Sequence, residues 1–471
     1  MNSTSVRVRF APSPTGHLHI GGLRTAIFNW LFARHHNGTF VLRIEDTDLE
    51  RSKQEYTESI LGSLTWADIQ PDEPILIQST RISQHRAIAH ELITQGKAYR
   101  CYCTPEEIVE RQKIEVGDVL YSKYDEFCRG RTHHDITKSH VIRFAIPEDV
   151  AQVAFHDLIR GTVTFNRDQL DDFIIVRSDG IPVYNFVVVL DDAFMRISHV
   201  IRGEEHLSNT PKQMLLYQAC DYPMPLFAHL PMILGPSGEK LSKRDGATSV
   251  LEYKQMGFLP EALVNYLVRL GWSHGDQEIF TREELITYFA LEQVGKKGSI
   301  FDQAKLDWVN TVYLKEQSSG TLYTYMQDVC AYDLPSLFPQ WTREQVMHAI
   351  TLYKERVKTI RDLIAEMTLL YQGPSEYSSS DVQQWVNPPS AGYLDLVVQK
   401  LAALPTFTVD TITDVIKQVC AECGIKLVTV AQPIRLALVG KTSSPGVFEL
   451  LALLGKEASL ARLTALLAQV R

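Results

Sequence analysis

Residues 6–44 read VRVRFAPSPTGHLHIGGLRTAIFNWLFARHHNGTFVLRI and decide the fold class. Residues 6–10 alternate in polarity, which is typical of a half-buried strand. Two prolines and Gly16 then favour a turn, and residues 23–34 follow with a helical pattern. Residues 39–44 form a second, mostly apolar strand. Strand, turn, helix and strand in this order predict a βαβ unit and therefore an α/β protein with a parallel sheet.

The turn between the first strand and the helix carries the candidate binding residues His17, His19, Gly21 and Gly22. Ligands of parallel sheets bind beyond the carboxyl ends of the strands, and this turn lies at such an end. Glycines let a phosphate approach the backbone, and the N-terminus of a helix attracts anions. The alternative is a plain tight turn with two surface histidines.

The composition is that of a soluble globular protein. The chain has 471 residues, 45% of them hydrophobic and 22% charged, and a net charge of −9. These values exclude disordered, collagen-like and disulfide-dense classes. No apolar stretch reaches about 18 residues, so no membrane association is expected. The first ten residues lack a secretory signal, which predicts the cytoplasm. The negative charge does not exclude RNA, because RNA affinity depends on local basic surface.

A second candidate motif is the loop segment KLSKR, which contains Lys240, Ser242, Lys243 and Arg244. Three cations within five residues suit a polyphosphate in its transition state. The alternative is a solvated run of charge. The segment is not a Walker A loop, because the chain lacks the GxxxxGK[ST] pattern.

The two motifs together resemble the HIGH and KMSKS signatures of class I aminoacyl-tRNA synthetases. HIGG stands at residues 19–22, and KLSKR follows at residues 240–244. The resemblance narrows to the glutamyl-tRNA synthetase family of bacterial type and extends over essentially the whole chain. The further segments that carry it are RFAPSPTG at 9–16, RIEDTD at 43–48, VIRGEE at 200–205, QPIR at 432–435 and SPG at 444–446.

The resemblance implies two domains. A Rossmann-like catalytic domain with a parallel sheet is expected over residues 1–320, with an acceptor-binding insertion at about 98–190, and an all-α anticodon-binding domain over 321–471. Within the first domain, residues 173–176 and 182–190 are predicted strands. In the second, Glu355, Arg356 and Lys358 are expected on a helix over 351–370 as readers of the anticodon loop. The alternative for these three is a solvated helix face.

The resemblance also implies a reaction, the ATP-dependent ligation of L-glutamate to tRNA(Glu) through glutamyl-adenylate, with Mg²⁺ accompanying ATP. It makes His19 and Lys243 the catalytic residues and implies a monomer. Glutamylation of tRNA(Gln) by a non-discriminating or specialised paralogue is one alternative. A tRNA-modifying glutamyl transferase and a catalytically silent tRNA-binding paralogue are two others. The implied ATP-binding residues are His17, His19, Gly21, Gly22, Lys240, Ser242, Lys243 and Arg244.

By the same resemblance, Arg9 and Arg202 are the candidate partners of the substrate carboxylates. Arginine suits this task because its guanidinium group binds a carboxylate through two parallel hydrogen bonds. The alternative for both is a structural ion pair with Asp46 or Glu204. The remaining implied members of the glutamate site are Glu45 for the ammonium group, Ala11, Ser13 and Tyr184.

The cysteines raise the question of a metal. Seven cysteines, an odd number in a large chain, argue against a disulfide framework. The spacing of Cys101, Cys103 and Cys128 resembles a zinc-binding insertion of some family members. Those members often carry a histidine where Gly130 stands here, so the fourth ligand is open. Tyr124 and residues 133 and 134, both histidines, are the candidates. The alternative is three reduced cysteines without metal.

Overall fold

The computed structural model describes residues 5–48, 50–111, 114–116, 119–121, 124–131, 137–241 and 249–469. The chain divides into two compact units. The first comprises Met1–Tyr253 and Pro260–Lys305, and the second comprises Lys254–Leu259 and Leu306–Arg471. The domain boundary at residue 320 and the insertion at about 98–190 stay predictions.

The secondary structure of the described residues is mixed in the first unit and helical in the second. Among these residues, no helix has both the length and the apolar character needed to cross a membrane. The strands are β1 (Arg7–Phe10), β2 (Thr39–Ile44), β3 (Leu76–Ile77), β4 (Ala98–Cys101), β5 (Ile114–Val116), β6 (Val119–Tyr121), β7 (Val141–Phe144), β8 (Gln152–Asp157), β9 (Gly161–Asn166), β10 (Ile174–Val176), β11 (His199–Gly203), β12 (Leu226–Leu230), β13 (Ile233–Leu234) and β14 (Ser299–Ile300). The helices are α1 (Ile20–His35), α2 (Gln54–Trp66), α3 (Ile82–Thr94), α4 (Pro105–Arg111), α5 (Tyr184–Phe194), α6 (Thr210–Ala219), α7 (Val250–Gln255), α8 (Pro260–Arg269), α9 (Arg282–Tyr288), α10 (Gln303–Glu316), α11 (Ser319–Asp328), α12 (Leu334–Leu337), α13 (Arg343–Tyr353), α14 (Ile360–Gln372), α15 (Ser379–Trp385), α16 (Pro388–Ala402), α17 (Val409–Cys423), α18 (Val428–Val439), α19 (Val447–Leu454) and α20 (Lys456–Ala468).

A parallel arrangement of strands dominates the centre of the first unit and confirms the predicted βαβ start. Strand β1 pairs in parallel with β2, and β2 pairs in parallel with β3. Strand β11 runs beside β1, where the amide of Ser198 donates to the carbonyl of Arg7 at 2.9 Å. Strand β12 is parallel to both β11 and β8. The carboxyl ends of β1, β2 and β11 therefore open toward one region.

Helix α1 joins β1 to β2 and is a central element of this unit. Its side chains are buried almost all round, from Leu23 and Ile27 to Phe28 and Leu31. A helix that is apolar on most faces is typical of a core position rather than a surface one. It packs on β1, β2 and β11. The N-terminus of α1 is thereby held at the carboxyl end of the sheet.

The strand predicted at residues 182–190 is wrong, because this segment is helix α5. The run from Phe186 to Leu190 is continuously apolar, and such a run fits a buried helix as well as a buried strand. In the folded chain these side chains are all buried, so no polar face marks the helical period. The other predicted strand, at 173–176, is confirmed as β10.

The second unit is helical throughout its described residues, as the all-α expectation requires. The single helix predicted over 351–370 is wrong, because it is two helices, α13 and α14. The predicted readers Glu355, Arg356 and Lys358 lie in the connection between them. The cause is a capping box in which Thr359 and Asp362 exchange hydrogen bonds at 3.1 Å, which starts a new helix.

Candidate active site

A cavity of about 950 Å³ lies in the first unit, at the carboxyl ends of β1, β2 and β11. Its size is in the range of small-molecule sites. Every described residue predicted to bind ATP or glutamate lines this cavity. Ser242, Lys243 and Arg244 lie outside the described residues. The predicted residues that line it are Arg9, Ala11, Ser13, His17, His19, Gly21, Gly22, Glu45, Tyr184, Arg202 and Lys240.

His19 is the N-cap of α1, and this position fixes the chemistry of its ring. Its Nδ1 accepts a hydrogen bond of 3.1 Å from the amide of Gly22, so Nδ1 carries no proton. Burial lowers the pKa of His19, and the nearby Lys240 lowers it further. The ring is therefore neutral near pH 7, and its one proton is on Nε2. Such a ring can donate from Nε2 to a phosphate oxygen.

The two glycines after His19 are required by close packing at the start of α1. A Cβ on Gly22 would stand 2.7 Å from Cδ1 of Leu18, and a Cβ on Gly21 would stand 3.1 Å from the His19 ring. Any larger residue would displace the capping histidine or the side chain beneath it. The glycines thus keep the imidazole in place and leave the helix N-terminus open to an anion.

The structure brings the start of the second motif to the same cavity. Lys240 forms a bridge with Leu234, the last residue of β13. Ser249 forms a bridge with His19, and the amide of Val250 donates to Leu18 at 2.9 Å. The residues that flank segment 242–248, namely Leu241 and Ser249, both line the cavity. The first motif and the two ends of the loop that carries the second motif, about 220 residues apart in the chain, therefore lie at one site.

A buried charge network reaches the wall of the cavity at Arg9 and Glu45. Nε of Arg9 donates to Asp192 at 3.1 Å, and Arg43 donates to Asp192 and Glu45 at 2.7 and 3.0 Å. All four side chains are buried. Burial raises the pKa of Glu45, although Arg43 opposes this shift. Burial would likewise raise the pKa of Asp192, but Arg9 and Arg43 outweigh it and the pKa is lowered.

Arg202 faces the same cavity from β11 with an unused donor. Its Nε donates to Nε2 of His229 at 3.2 Å, and its Nη2 donates to the hydroxyl of Thr210 at 2.9 Å. Its Nη1 is buried and has no hydrogen-bond partner among the described residues. A buried, unpaired donor of a charged group costs free energy. A ligand carboxylate in the cavity would supply the missing acceptor.

Tyr184 and His206 complete this end of the cavity. Their rings lie 5.5 Å apart, and the Tyr184 hydroxyl is 3.3 Å from Nδ1 of His206. Burial lowers the pKa of His206 to about 4, and the positive charge of Arg202 contributes. A neutral His206 therefore adds no charge at neutral pH.

The alternative role of Arg9 and Arg202 was a structural ion pair with Asp46 or Glu204, and neither of these two pairs is present among the described residues. Asp46 accepts from the amide and hydroxyl of Ser79, and Glu204 pairs with Arg160. Arg9 does form a buried ion pair, but with Asp192. Arg202 has no carboxylate partner among the described residues.

The three predicted metal-ligand cysteines meet in space, away from the cavity. The Sγ atoms of Cys101, Cys103 and Cys128 all lie within 4.8 Å of one another. The Tyr124 hydroxyl is 3.2 Å from Sγ of Cys101. Tetrahedral zinc with Zn–S bonds of about 2.3 Å needs sulfur atoms about 3.8 Å apart. The three sulfurs thus fit three of the four ligand positions of zinc, and the Tyr124 hydroxyl, which also accepts from the amide of Cys128 at 3.0 Å, lies beside them. Gly130 offers no ligand, and residues 133 and 134 lie outside the described chain.

The acidity of Cys103 depends on its surroundings. Burial and the neighbouring thiols raise the pKa of Cys103 to about 12, although Nη2 of Arg111, which donates to its Sγ at 3.2 Å, opposes this shift. Cys103 therefore keeps its proton at neutral pH without a cation, and a metal ion would displace that proton on binding.

The sequence analysis missed the residues that hold the arginines. Asp192 follows a segment predicted as a strand, and its contact with Arg9 spans 183 residues of chain. Arg43 precedes Glu45 within the predicted strand β2 and was not assigned a role. His229 and Asp157 lie in strands without any motif. The one available signal was an ionisable residue inside an apolar strand, as at Arg43 and His229.

Comparison with known proteins assigns the chain to a family. Residues 5–308 match the family of class I tRNA synthetases (E and Q), catalytic domain, and residues 322–467 match an anticodon binding domain. A glutamate–tRNA ligase of Thermodesulfovibrio yellowstonii is 47% identical over 97% of this chain and 98% of its own. One of Geotalea uraniireducens is 46% identical over 99% of both chains.

A solved structure supports the same assignment. The crystal structure of a glutamate tRNA ligase from Elizabethkingia meningosepticum, in complex with its amino acid, covers 99% of this chain and 100% of its own. The TM-score is 0.88 at 32% identity. The predicted family and fold class are confirmed. With its cavity at the carboxyl ends of the sheet and its helical second unit, the chain is a member of the class I tRNA synthetases of the glutamyl and glutaminyl (E and Q) type.

Proposed function

We propose that this chain ligates L-glutamate to tRNA(Glu) at the expense of ATP. In the first step, a carboxylate oxygen of glutamate attacks the α-phosphorus of ATP, and pyrophosphate leaves. In the second step, a hydroxyl of the tRNA 3′ end attacks the carbonyl carbon of the adenylate, an ester forms, and AMP leaves. The carboxylate is already a nucleophile, so the site's tasks are positioning and charge stabilisation.

The observation that carries this proposal is that Arg202, whose buried Nη1 has no partner among the described residues, lines the same cavity as Arg9. Arg9 lines the same cavity with its Nε held by Asp192. One ligand with two carboxylates can engage both guanidinium groups. Glutamate satisfies this requirement, whereas glutamine would present an amide to one of them.

The rest of the glutamate site follows from the same geometry. Glu45 is buried in the cavity wall and would receive the ammonium group, which would keep its carboxylate ionised. Tyr184, Ser13 and Ala11 line the cavity around it. We assign these three to the walls of the substrate pocket.

The phosphate-binding role falls to the two motifs. The neutral His19 donates from Nε2, and the amide of Gly21 stands at the positive end of α1, whereas the amide of Gly22 is held by Nδ1 of His19. His17 lies beside them, with Nδ1 3.0 Å from the hydroxyl of Ser59. Mg²⁺ bound with ATP would neutralise phosphate charge. The proposed cations for the leaving pyrophosphate are Lys240, Lys243 and Arg244, with Ser242 beside them.

We assign the cysteine cluster to a structural zinc ion. Cys101, Cys103 and Cys128 would supply sulfur, and Tyr124 would supply oxygen. The cluster lies away from the cavity, so the ion has no part in either chemical step. It would hold the ends of β4 and the segment around residue 128 together, as structural zinc sites do.

Further features of the proposal rest on the family. We propose a monomer that acts in the cytoplasm. We also propose that the region at about 98–190 contacts the tRNA acceptor end and that residues 321–471 contact the anticodon. The names of the relatives support glutamate as the amino acid, and nothing in them supports tRNA(Gln) as a substrate.

The test is aminoacylation with radiolabelled glutamate, ATP and Mg²⁺, using purified tRNA(Glu) and tRNA(Gln) in separate reactions. Charging of tRNA(Glu) alone is expected. Charging of neither tRNA would overturn the proposal. Charging of tRNA(Gln) would show that tRNA(Glu) is the wrong substrate or not the sole one. Lys243→Ala is expected to lower ATP–pyrophosphate exchange, measured with tRNA present, by about 100-fold or more.

A further inference from the structure

Behind Arg202, a chain of buried hydrogen bonds crosses three neighbouring strands. Arg202 of β11 and His229 of β12 are cross-strand partners. Nε of Arg202 donates to Nε2 of His229 at 3.2 Å, and Nδ1 of His229 lies 2.6 Å from Oδ2 of Asp157. Asp157 is the last residue of β8, and both it and His229 are fully buried. Neither residue lines the cavity.

The backbone around Asp157 determines which nitrogen of His229 carries the proton. Oδ1 of Asp157 accepts from the amides of Ile159, Arg160 and His229, at 3.0, 2.9 and 3.3 Å. The ionised carboxylate is an acceptor only, so Nδ1 of His229 must donate to Oδ2. In the neutral ring, Nε2 then has a lone pair that accepts from the Nε–H of Arg202. The hydroxyl of Thr210 also lies 3.1 Å from Nε2.

The surrounding charges keep the ring neutral. Burial lowers the pKa of His229, and the positive charges of Arg202 and Arg160 lower it further, while Asp157 opposes them. Burial would raise the pKa of Asp157, but the bond from His229 and the backbone amides lower it instead. His206 is the other ionisable ring nearby. At neutral pH the pair is thus an ionised carboxylate and a neutral imidazole.

We propose that Asp157 and His229 are positioning residues that orient Arg202 for the substrate carboxylate. By accepting from Nε, His229 fixes the plane of the guanidinium group and leaves Nη1 without a partner among the described residues. Asp157 sets the tautomer that makes this possible. The inference rests on the proposed function, because it takes Arg202 as a glutamate ligand.

The variant Asp157→Asn tests the proposal with almost no change of volume. Its amide oxygen would stay on the three backbone amides, so its NH₂ group would face Nδ1 of His229. The imidazole proton would then move to Nε2 and oppose the Nε–H of Arg202. We expect the KM for glutamate to rise by about tenfold or more, the effect of losing a hydrogen bond to a charged group. The KM for ATP is expected to stay within about twofold.

Two substitutions at position 229 separate positioning from simple packing. His229→Gln keeps an acceptor near the position of Nε2, whereas His229→Asn keeps a donor near Nδ1 and loses the acceptor. The glutamate KM should rise more for Asn than for Gln. Asp172→Asn is the matched control, because Asp172 is equally buried and contacts Tyr99, Arg129 and Ile146, none of which lines the cavity.

A readout independent of activity is the ¹⁵N spectrum of histidine-labelled protein, assigned with the His229 variants. The signal of His229 should report Nδ1–H in the wild type and Nε2–H in Asp157→Asn. An Nε2–H tautomer in the wild type overturns the proposal. So does an unchanged glutamate KM in folded Asp157→Asn, or equal KM values for the two His229 variants. Failure of the wild type to charge tRNA with glutamate would instead overturn the proposed function, and the spectrum would still decide the tautomer.

Discussion

The guanidinium group of Arg43 and the carboxylate of Asp192 share a hydrogen bond of 2.7 Å in the buried interior of the first unit. Arg43 comes from β2 and Asp192 from α5, so the pair joins two segments that are separated by 149 residues of chain. The same carboxylate also accepts from Arg9. Arg9, which we propose as a ligand of the substrate, is therefore held by a buried pair.

Arg43→Ala should destabilise the protein strongly. Removing one partner of a buried ion pair leaves an uncompensated charge and typically costs about 3–5 kcal/mol. The free energy of unfolding in urea would measure the loss. Arg34→Ala is the control, because Arg34 pairs with Asp72 at 2.7 Å in a partly exposed position. That exposed pair should contribute less than about 1 kcal/mol, and equal losses would contradict the burial argument.

His19 has two roles that substitution can separate. As the N-cap of α1 it contributes to stability, and as a donor from Nε2 it is proposed to bind phosphate. Asparagine is also a good N-cap residue but cannot reach as far into the cavity. His19→Asn should therefore unfold at nearly the wild-type urea concentration, while ATP–pyrophosphate exchange falls by about 100-fold.

His19→Ala completes this comparison. It should lose the same activity and, in addition, about 1 kcal/mol of stability from the missing cap. If His19→Asn exchanges pyrophosphate at the wild-type rate, the imidazole has no role beyond the cap.

The local signals in the sequence predicted those parts of the fold that depend on neighbouring residues. Strand β2 matches its predicted range of 39–44, because a short apolar run after an Asn-Gly pair is a strong signal. The start of α1 was predicted at residue 23, which is too late, because His19 caps a helix that begins at Ile20 and includes both glycines. The residues predicted to bind substrate meet in one cavity because the ends of parallel strands share an edge.

The site residues and the helix that were not predicted from the sequence depend on contacts between distant segments. Asp157 meets His229 across 72 residues of chain, and Arg9 meets Asp192 across 183. No periodicity or motif in one segment records such a partner. Helix α5 was predicted as a strand because burial on all sides removed the polar face that marks the helical period. Tertiary packing therefore determined both the missed residues and the wrong element.

The acid dependence of stability should include a contribution from His206. Burial and Arg202 lower its pKa from 6.5 to about 4, with Arg9 and His229 acting in the same direction. The unfolded chain binds this proton below its ordinary pKa, whereas the folded chain does not. Unfolding thus takes up a proton between these values, and stability falls as the pH is lowered through this window. Urea denaturation at several pH values would measure the slope.

His206→Gln should flatten this slope between pH 4 and 6.5. A part of it should remain, because the pKa of His229 is lowered as well. His90→Gln is the control, since His90 is exposed on α3 and its environment changes little on unfolding. If the free energy of unfolding falls as steeply with decreasing pH in His206→Gln as in His90→Gln, His206 does not contribute to the acid dependence.

Metal analysis of the purified protein should find about one zinc ion per chain, bound by the cysteine cluster. Cys103 is only partly buried, so Cys103→Ser is the mildest way to remove a sulfur ligand. Its zinc content should fall to near zero, and proteolysis should become faster around β4, because the ion's binding free energy also stabilises the fold. Tyr124→Phe should retain less zinc than the wild type if the hydroxyl is the fourth ligand. Cys423→Ser, in the other unit, is the control and should keep the full content. Zinc retained in full by Cys103→Ser, or absent from the wild type, would leave the cluster as three reduced thiols.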